Sequence, residues 1–279
     1  MEWWIWPILL FAVSFLIGIV AVLSGVGGGV LFVPVVSGFF PFHLDFVRCA
    51  GLLVALSVSL AAGPELLKKG LADLRLAIPA ALIASTTSII GAMLGLALPT
   101  HIVQIALGVA ILSIVVVMVS AKKSEFPEVK GPDALCSALK IGCVYHEQTE
   151  KRDVSWHVHR TPLGFFMFIF IGLLAGMFGL GAGWANVPVL NLIMGAPLKV
   201  SVATSVFLLS ITDTSAAWVY INKGALFPMV VIPSVIGVML GSSIGAKLLS
   251  KTKPKAVKTM VIGLLMFAGL RAIAKGFGY

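Results

Sequence analysis

Two glycine-rich stretches hold most of the residues with which this chain could do chemistry. The first reads Gly25-Val26-Gly27-Gly28-Gly29 and reaches a proline at Pro34. The second reads Gly179-Leu180-Gly181-Ala182-Gly183 and reaches one at Pro188. Glycine leaves backbone N–H groups open to close approach, and proline removes a donor and ends a helix. A short helix starting after each break would present unpaired N–H groups at its positive end, around Gly27 to Val30 and around Gly181 to Trp184. Such an end binds a small anion without any arginine. One glycine motif alone reads equally well as a close helix-packing surface. Two copies, each with proline five residues after its last glycine, favour a site. The substrate-binding candidates are therefore Gly25, Gly27, Gly28, Gly29, Gly179, Gly181, Ala182 and Gly183, joined by Asn186, Thr204 and Ser205.

Those last three are placed by comparing the two halves. Asn186 stands where the first half has Phe32, so it could add one-sided hydrogen bonding to a pocket. Thr204-Ser205 replaces Ala50-Gly51; its hydroxyls could serve a ligand or bond back to the helix carbonyl four residues earlier. Asp213 corresponds to Ser59 and lies well inside an apolar segment. A carboxylate at that depth is expensive and is a candidate site for a proton or coupling cation. It could instead cap a helix or pair with Lys223. His43, Asp45, Arg48 and His101 fall near segment edges and read as interfacial, while Trp184 and Trp218 could wall a cavity or merely pack. No H-E-x-x-H, G-x-S-x-G or G-x-x-x-x-G-K-[ST] is present, so neither an enzyme nor a bound cofactor is expected. Cys136, Cys143, His146, His157 and His159 could form a metal cluster. Their spacing matches no zinc pattern, and reduced thiols in a polar linker explain them more simply, so no metal is expected.

The elements that must position these residues are apolar. Hydrophobic residues make up 59% of the chain and charged ones 11%, with mean hydropathy +1.08. That predicts an all-α polytopic membrane protein. The net charge of +9 comes from short connecting segments, which is a topogenic pattern rather than a nucleic-acid surface. The opening Glu2-Trp3-Trp4-Ile5-Trp6-Pro7 lacks the basic region of a leader and reads as an interfacial aromatic belt. Apolar segments lie at about 7–37, 44–63, 74–97, 101–120, 163–194, 200–221, 226–248 and 256–274. Those near 20 residues fit one crossing each; 7–37 and 163–194 are longer and carry the glycine breaks.

A constant offset of 154 relates the two halves: Gly18 to Gly172, Lys69-Gly70 to Lys223-Gly224, Pro79 to Pro233, Gly91-Ala92 to Gly245-Ala246. The chain divides into a first transmembrane repeat at 1–121, a polar cytoplasmic linker at 122–160 and a second repeat at 161–279. If each glycine segment is a hairpin and both termini lie outside, only Arg48, Lys223, Arg271 and Lys275 of the 20 lysines and arginines fall outside. Four crossings per half with the N-terminus inside would leave seven there. The positive-inside rule therefore favours inverted repeats, each a broken or re-entrant hairpin plus three transmembrane helices. In the linker, Lys140 to Tyr145 and Val154 to Val158 alternate around Gln148-Thr149-Glu150, suggesting a β-hairpin.

The twin motifs, with Ala203-Thr204-Ser205 after the second and Lys69-Gly70 and Lys223-Gly224 in corresponding loops, resemble the sulfite exporter TauE/SafE family. The likeness covers nearly the whole chain, least in the linker, and departs from the family pattern at Ala50-Gly51. It implies a multi-pass carrier in the cytoplasmic membrane that exports sulfite or an organosulfonate such as sulfoacetate. A potential of about 100 mV, negative inside, favours loss of each anionic charge by roughly 2.3 kcal/mol, so a uniporter needs no coupled ion; coupling through Asp213 stays open. The alternatives are a transporter of the same build that imports, or carries another anion or a metal ion, and a membrane scaffold or sensor acting through its linker. The expected partners are a small anion and the lipid bilayer. A homodimer stays open too, since Gly237, Gly241 and Gly245 could line a dimer face or pack internally.

Overall fold

Both long apolar segments are broken where the glycines fall. A computed structural model describes residues 4–24, 27–68, 70–120, 127, 131–147, 152–248 and 254–278; Gly25 lies outside the described residues. In the first half α1 (Ile5–Ser24) stops before Gly27, and α2 (Gly28–Phe39) starts after it. In the second, α7 (Thr161–Phe178) ends at Gly179, and α8 (Gly183–Pro188) runs on as a π-helical turn, Val189–Ile193. Gly27, Gly179 and Gly181 have φ of +96°, +68° and +69°, a left-handed region that only glycine enters cheaply. Pro188 supplies no N–H to the ladder, and the following turn widens until Met194 N reaches Val189 O at 3.0 Å.

Three long helices follow each break. They are α3 (Leu44–Lys68), α4 (Leu74–Ala97) and α5 (Thr100–Ser120), then α9 (Leu198–Asn222), α10 (Pro228–Leu248) and α11 (Pro254–Gly276). Among the described residues six helices are long and apolar enough to cross a membrane. The chain is a helical, multi-pass membrane protein. Large apolar side chains such as Ile78, Leu82, Ile232 and Leu240 are exposed along the helices, where the bilayer is the solvent.

The helices pair across the halves. Helix α1 lies along α10, and α7 lies along α4. Glycines permit this contact: a Cβ on Gly241 would sit 2.0 Å from Phe15 O, and one on Gly176 would sit 2.0 Å from Ser88 O. Gly237, Gly241 and Gly245 therefore pack inside the molecule against α1, not on a dimer face. Both pairs run parallel, since Phe15 meets Gly241 while Ile19 meets Gly245, and Leu173 meets Gly91 while Met177 meets Gly95. Helices α5 and α11 run antiparallel, with Ile105 beside Gly276 and Ile111 beside Gly269. Gly70 and Gly224, at equivalent places, both have positive φ, +66° and +74°.

The linker is structured where it is described. Helix α6 (Ala134–Leu139) precedes strands β1 (Cys143–Glu147) and β2 (Arg152–Trp156), which pair antiparallel from Cys143↔Trp156 to Glu147↔Arg152. Asp133 caps α6 through Cys136 N at 2.7 Å and holds the start of α7 through Thr161 N at 2.7 Å and Thr161 Oγ1 at 3.0 Å. Desolvation works to raise the Asp133 carboxyl, but these three hydrogen bonds, together with the nearby His159, outweigh it and hold the group below the usual carboxylate range. Arg75 donates to Lys140 O at 3.1 Å, and His159 N donates to Met194 O at 2.9 Å. The linker thus grips α4, α7 and the end of the second break.

Candidate functional site

The two breaks meet. A Cβ on Gly29 would lie 2.5 Å from Leu180 O, so the start of α2 rests against the second glycine loop. Gly51 of α3 lies under the same loop: a Cβ there would already come 2.6 Å from Gly179 O and 2.3 Å from Val33. This explains the missing first-half partner of Ser205, because a side chain at 51 would push the second break away. Gly28 faces Val54 and Val58 of α3, while a Cβ on Gly181 would lie 3.1 Å from both Ala55 Cβ and Asp213 Oδ2. Gly28, Gly29, Gly179 and Gly181 thereby all lie along α3, and Gly181 also reaches Asp213 of α9.

Neither short helix is capped by a side chain. Gly27 and Ala182 hold the N-cap positions of α2 and α8, and neither offers a capping group. The start of α2 rests against Leu180 O, and in the first turn of α8 Ala185 N already donates to Ala182 O at 3.1 Å. Ala182 and Gly183 are buried. Asn186, one turn into α8, is 1% exposed, and neither its Oδ1 nor its Nδ2 has a hydrogen-bond partner in the protein. Trp184 Nε1, Thr212 Oγ1 and both carboxyl oxygens of Asp213 are likewise buried and unpartnered. Unpartnered buried polar atoms also occur elsewhere, at Ser14, Ser85, Gln104 and Ser234, but Asn186, Trp184, Thr212 and Asp213 lie on α8 and α9 beside the second break. The equivalent first-half residues are mostly satisfied or apolar: Ser59 Oγ donates to Ala55 O at 3.1 Å, and Phe32 is buried.

Two further candidates lie on α9. Thr204 accepts from Asp73 N at 3.2 Å, tying α9 to the start of α4 near the linker. Ser205 is buried in α9 beside it. Trp218 is exposed on the lipid side.

Arg48 is not interfacial. It is 2% exposed and lies directly below Gly179, whose Cβ would meet the Arg48 backbone and Cβ. Its Nη1 donates to Met177 O at 2.9 Å and to Gly95 O at 3.0 Å, its Nη2 pairs with Asp45, and its guanidinium lies 5.5 Å from the Tyr220 ring centre. Tyr220 Oη donates to Gly176 O at 2.9 Å. Arginine and tyrosine together close the C-terminus of α7, the negative end of the helix that enters the break. Sequence reading passed over Tyr220, yet Asp213, Ala216, Ala217 and Tyr220 share one face of α9 by the three-and-four spacing of a helix.

The described residues contain no group of three or more metal-ligating side chains. Cys136 is buried and donates to Ile141 O.

Comparison with known proteins agrees with this architecture. The family described as "Sulfite exporter TauE/SafE" matches residues 10–272. The chain is similar to the probable membrane transporter protein YunE of Bacillus subtilis (strain 168), 26% identical over 118 residues, covering 42% of this chain and 43% of that one. The chain thus matches less than half the length of that relative. No solved structure matches.

Proposed function

The chain belongs to the sulfite exporter TauE/SafE family, and from that premise we propose that it exports small sulfur-containing anions, sulfite or an organosulfonate, across the cytoplasmic membrane. That it is a membrane transporter rather than an enzyme follows from the family; the cargo, the direction and the binding mode are our reading. One observation carries it: two uncapped helix N-termini are brought together where two glycine breaks touch, deep among apolar helices. Backbone N–H groups there suit a compact head of oxygens, and binding needs no arginine inside the bilayer. Gly27 to Gly29 of one half and Gly181 to Gly183 of the other supply the donors. Asn186 adds an amide on one side. Thr204 and Ser205 support the start of α9.

Residues 1–121 and 161–279 are inverted repeats in this reading, joined by the cytoplasmic linker 122–160. The antiparallel course of α5 and α11, equivalent helices of the two halves, supports this. So does the exchange of partners, α1 with α10 and α7 with α4. Inverted halves bring the two positive ends in from opposite faces of the membrane, as alternating access requires.

The test is efflux of sulfite from liposomes loaded with it and containing the purified protein. Wild type should release the anion. Gly181→Leu should lose release while still inserting, because position 181 has φ +69° and Asp213 already lies 3.1 Å from its Cβ position. Normal efflux from both Gly181→Leu and Gly27→Leu would overturn the site.

A further inference from the structure

We propose that the anion and one proton load together, the proton on Asp213. This rests on the anion site proposed above. Asp213 is fully buried in α9, neither carboxyl oxygen has a hydrogen-bond partner, and Oδ2 lies 3.1 Å from the Cβ position of Gly181 at the second tip. The carboxyl group therefore borders the donors that take the anion.

Among the described residues neither Asp213 oxygen has a hydrogen-bond partner, and none of the ion pairs given for them includes Asp213. Among the elements packed on α9, α7, α8 and the π-helical turn carry no titratable group. Helix α3 carries Asp45, Arg48, Cys49, Glu65 and Lys68, and α4 carries Arg75. Arg48 is engaged with Asp45, Gly95 O and Met177 O beside Tyr220, and Tyr220 lies two turns from Asp213, about 10 Å along the helix. Lys68 and Arg75 are at the linker end of the bundle, as is Lys199 at the start of α9; Glu65 lies in the last turn of α3 towards that end. Cys49 is buried in α3 one residue from Arg48. An ionised Asp213 would have no partner, and an anion at the adjacent tip would repel it further. Protonation removes both penalties. Anion and proton binding therefore favour each other, and by linkage the effect is reciprocal. The equivalent first-half residue is Ser59, a neutral group already bonded to Ala55 O, so one proton accompanies each anion.

The consequence concerns driving force. A monovalent anion carried with a proton moves no net charge, so its flux answers to the pH gradient and the anion gradient. Export then runs only while the anion ratio exceeds the opposing proton ratio, about tenfold per pH unit. The carrier acts as a relief valve for accumulated anion.

The test uses the purified full chain and methanesulfonate, whose charge does not change over the neutral range, so every proton counted belongs to the protein. Wild type in unbuffered solution, set alkaline enough that Asp213 starts ionised, should take up one proton per anion bound. Above the Asp213 pKa its affinity should fall about tenfold per pH unit. Asp213→Asn, a neutral replacement, should bind with pH-independent affinity and take up no proton. Wild-type binding without proton uptake at any starting pH, or binding that requires sodium at constant pH, overturns the proton assignment and leaves the anion site standing. No binding by either protein at any pH overturns the anion site and this inference with it. The wild-type proton count decides the question even if the variant fails to fold.

Discussion

At Arg48 a single guanidinium closes the negative ends of two helices, taking Gly95 O of α4 and Met177 O of α7 on one nitrogen. Buried carbonyls at helix ends need partners, and a planar fork held by Asp45 and stacked near Tyr220 supplies them without a second charge. Arg48→Ala would leave Gly95 O without this donor and Met177 O with Tyr220 Oη alone, at 3.2 Å, at a cost of roughly 2–4 kcal/mol. Arg48→Lys keeps the charge but gives up the fork, so it should fall between. Thermal unfolding in detergent should rank wild type above Lys above Ala; an Ala variant as stable as wild type would mean that the guanidinium contributes nothing there. At Gly181 the demand is different, a positive φ beside a carboxylate, and its reading is in transport rather than in melting.

Helix pairs depend on absent side chains. Helices α1 and α10 approach so closely that the carbonyls of Phe11, Phe15 and Ile19 lie where Cβ atoms of Gly237, Gly241 and Gly245 would be. Within a bilayer the gain from such contact is dispersion and close fit, because lipid tails compete with any apolar surface. Gly241→Leu should separate the pair and give aggregated or degraded protein on size-exclusion chromatography. Gly263→Leu, where nothing lies within 4 Å of the Cβ position, should elute as wild type. Equal behaviour of the two variants would remove the glycine contact as the cause. The same packing rules out the glycine stripe of α10 as a dimer face, which composition alone could not do: small residues in a row look alike whether the neighbour is another helix of the chain or a second copy.

For the whole molecule, helix directions put the start of α1 and the end of α11 on one face and α6 with its strands on the other. Helices α1 and α10 run together, α11 returns, and α5 opposes it, so Gly278 lies far from Gly131. On our proposal that the linker is cytoplasmic, an impermeant thiol reagent applied to intact cells should label Gly278→Cys, and should label Gly131→Cys only after permeabilisation. Cys49 and Cys136 are buried; Cys143 would be replaced by Ser in both. The opposite labelling would reverse the orientation and with it the side from which each hairpin enters.

Much of this was legible in the residues. The membrane class, both glycine breaks and the linker hairpin follow from local properties: apolar run length, the φ freedom of glycine, and alternation in a strand. A burial argument also marked Asp213 and Asn186, since polar groups deep in apolar segments are costly wherever the chain runs. Long-range contact was decided only by the tertiary structure. It placed Leu180 against Gly29 and Gly179 over Gly51, which explains why the first half lacks the serine of the second. It turned Arg48 inward to two helix ends 47 and 129 residues away, and it gave the Thr204 hydroxyl to the start of α4. Each of these depends on which helix lies beside which. A one-dimensional pattern records the face a residue occupies, but the partner across that face is chosen by the packing of all the helices at once.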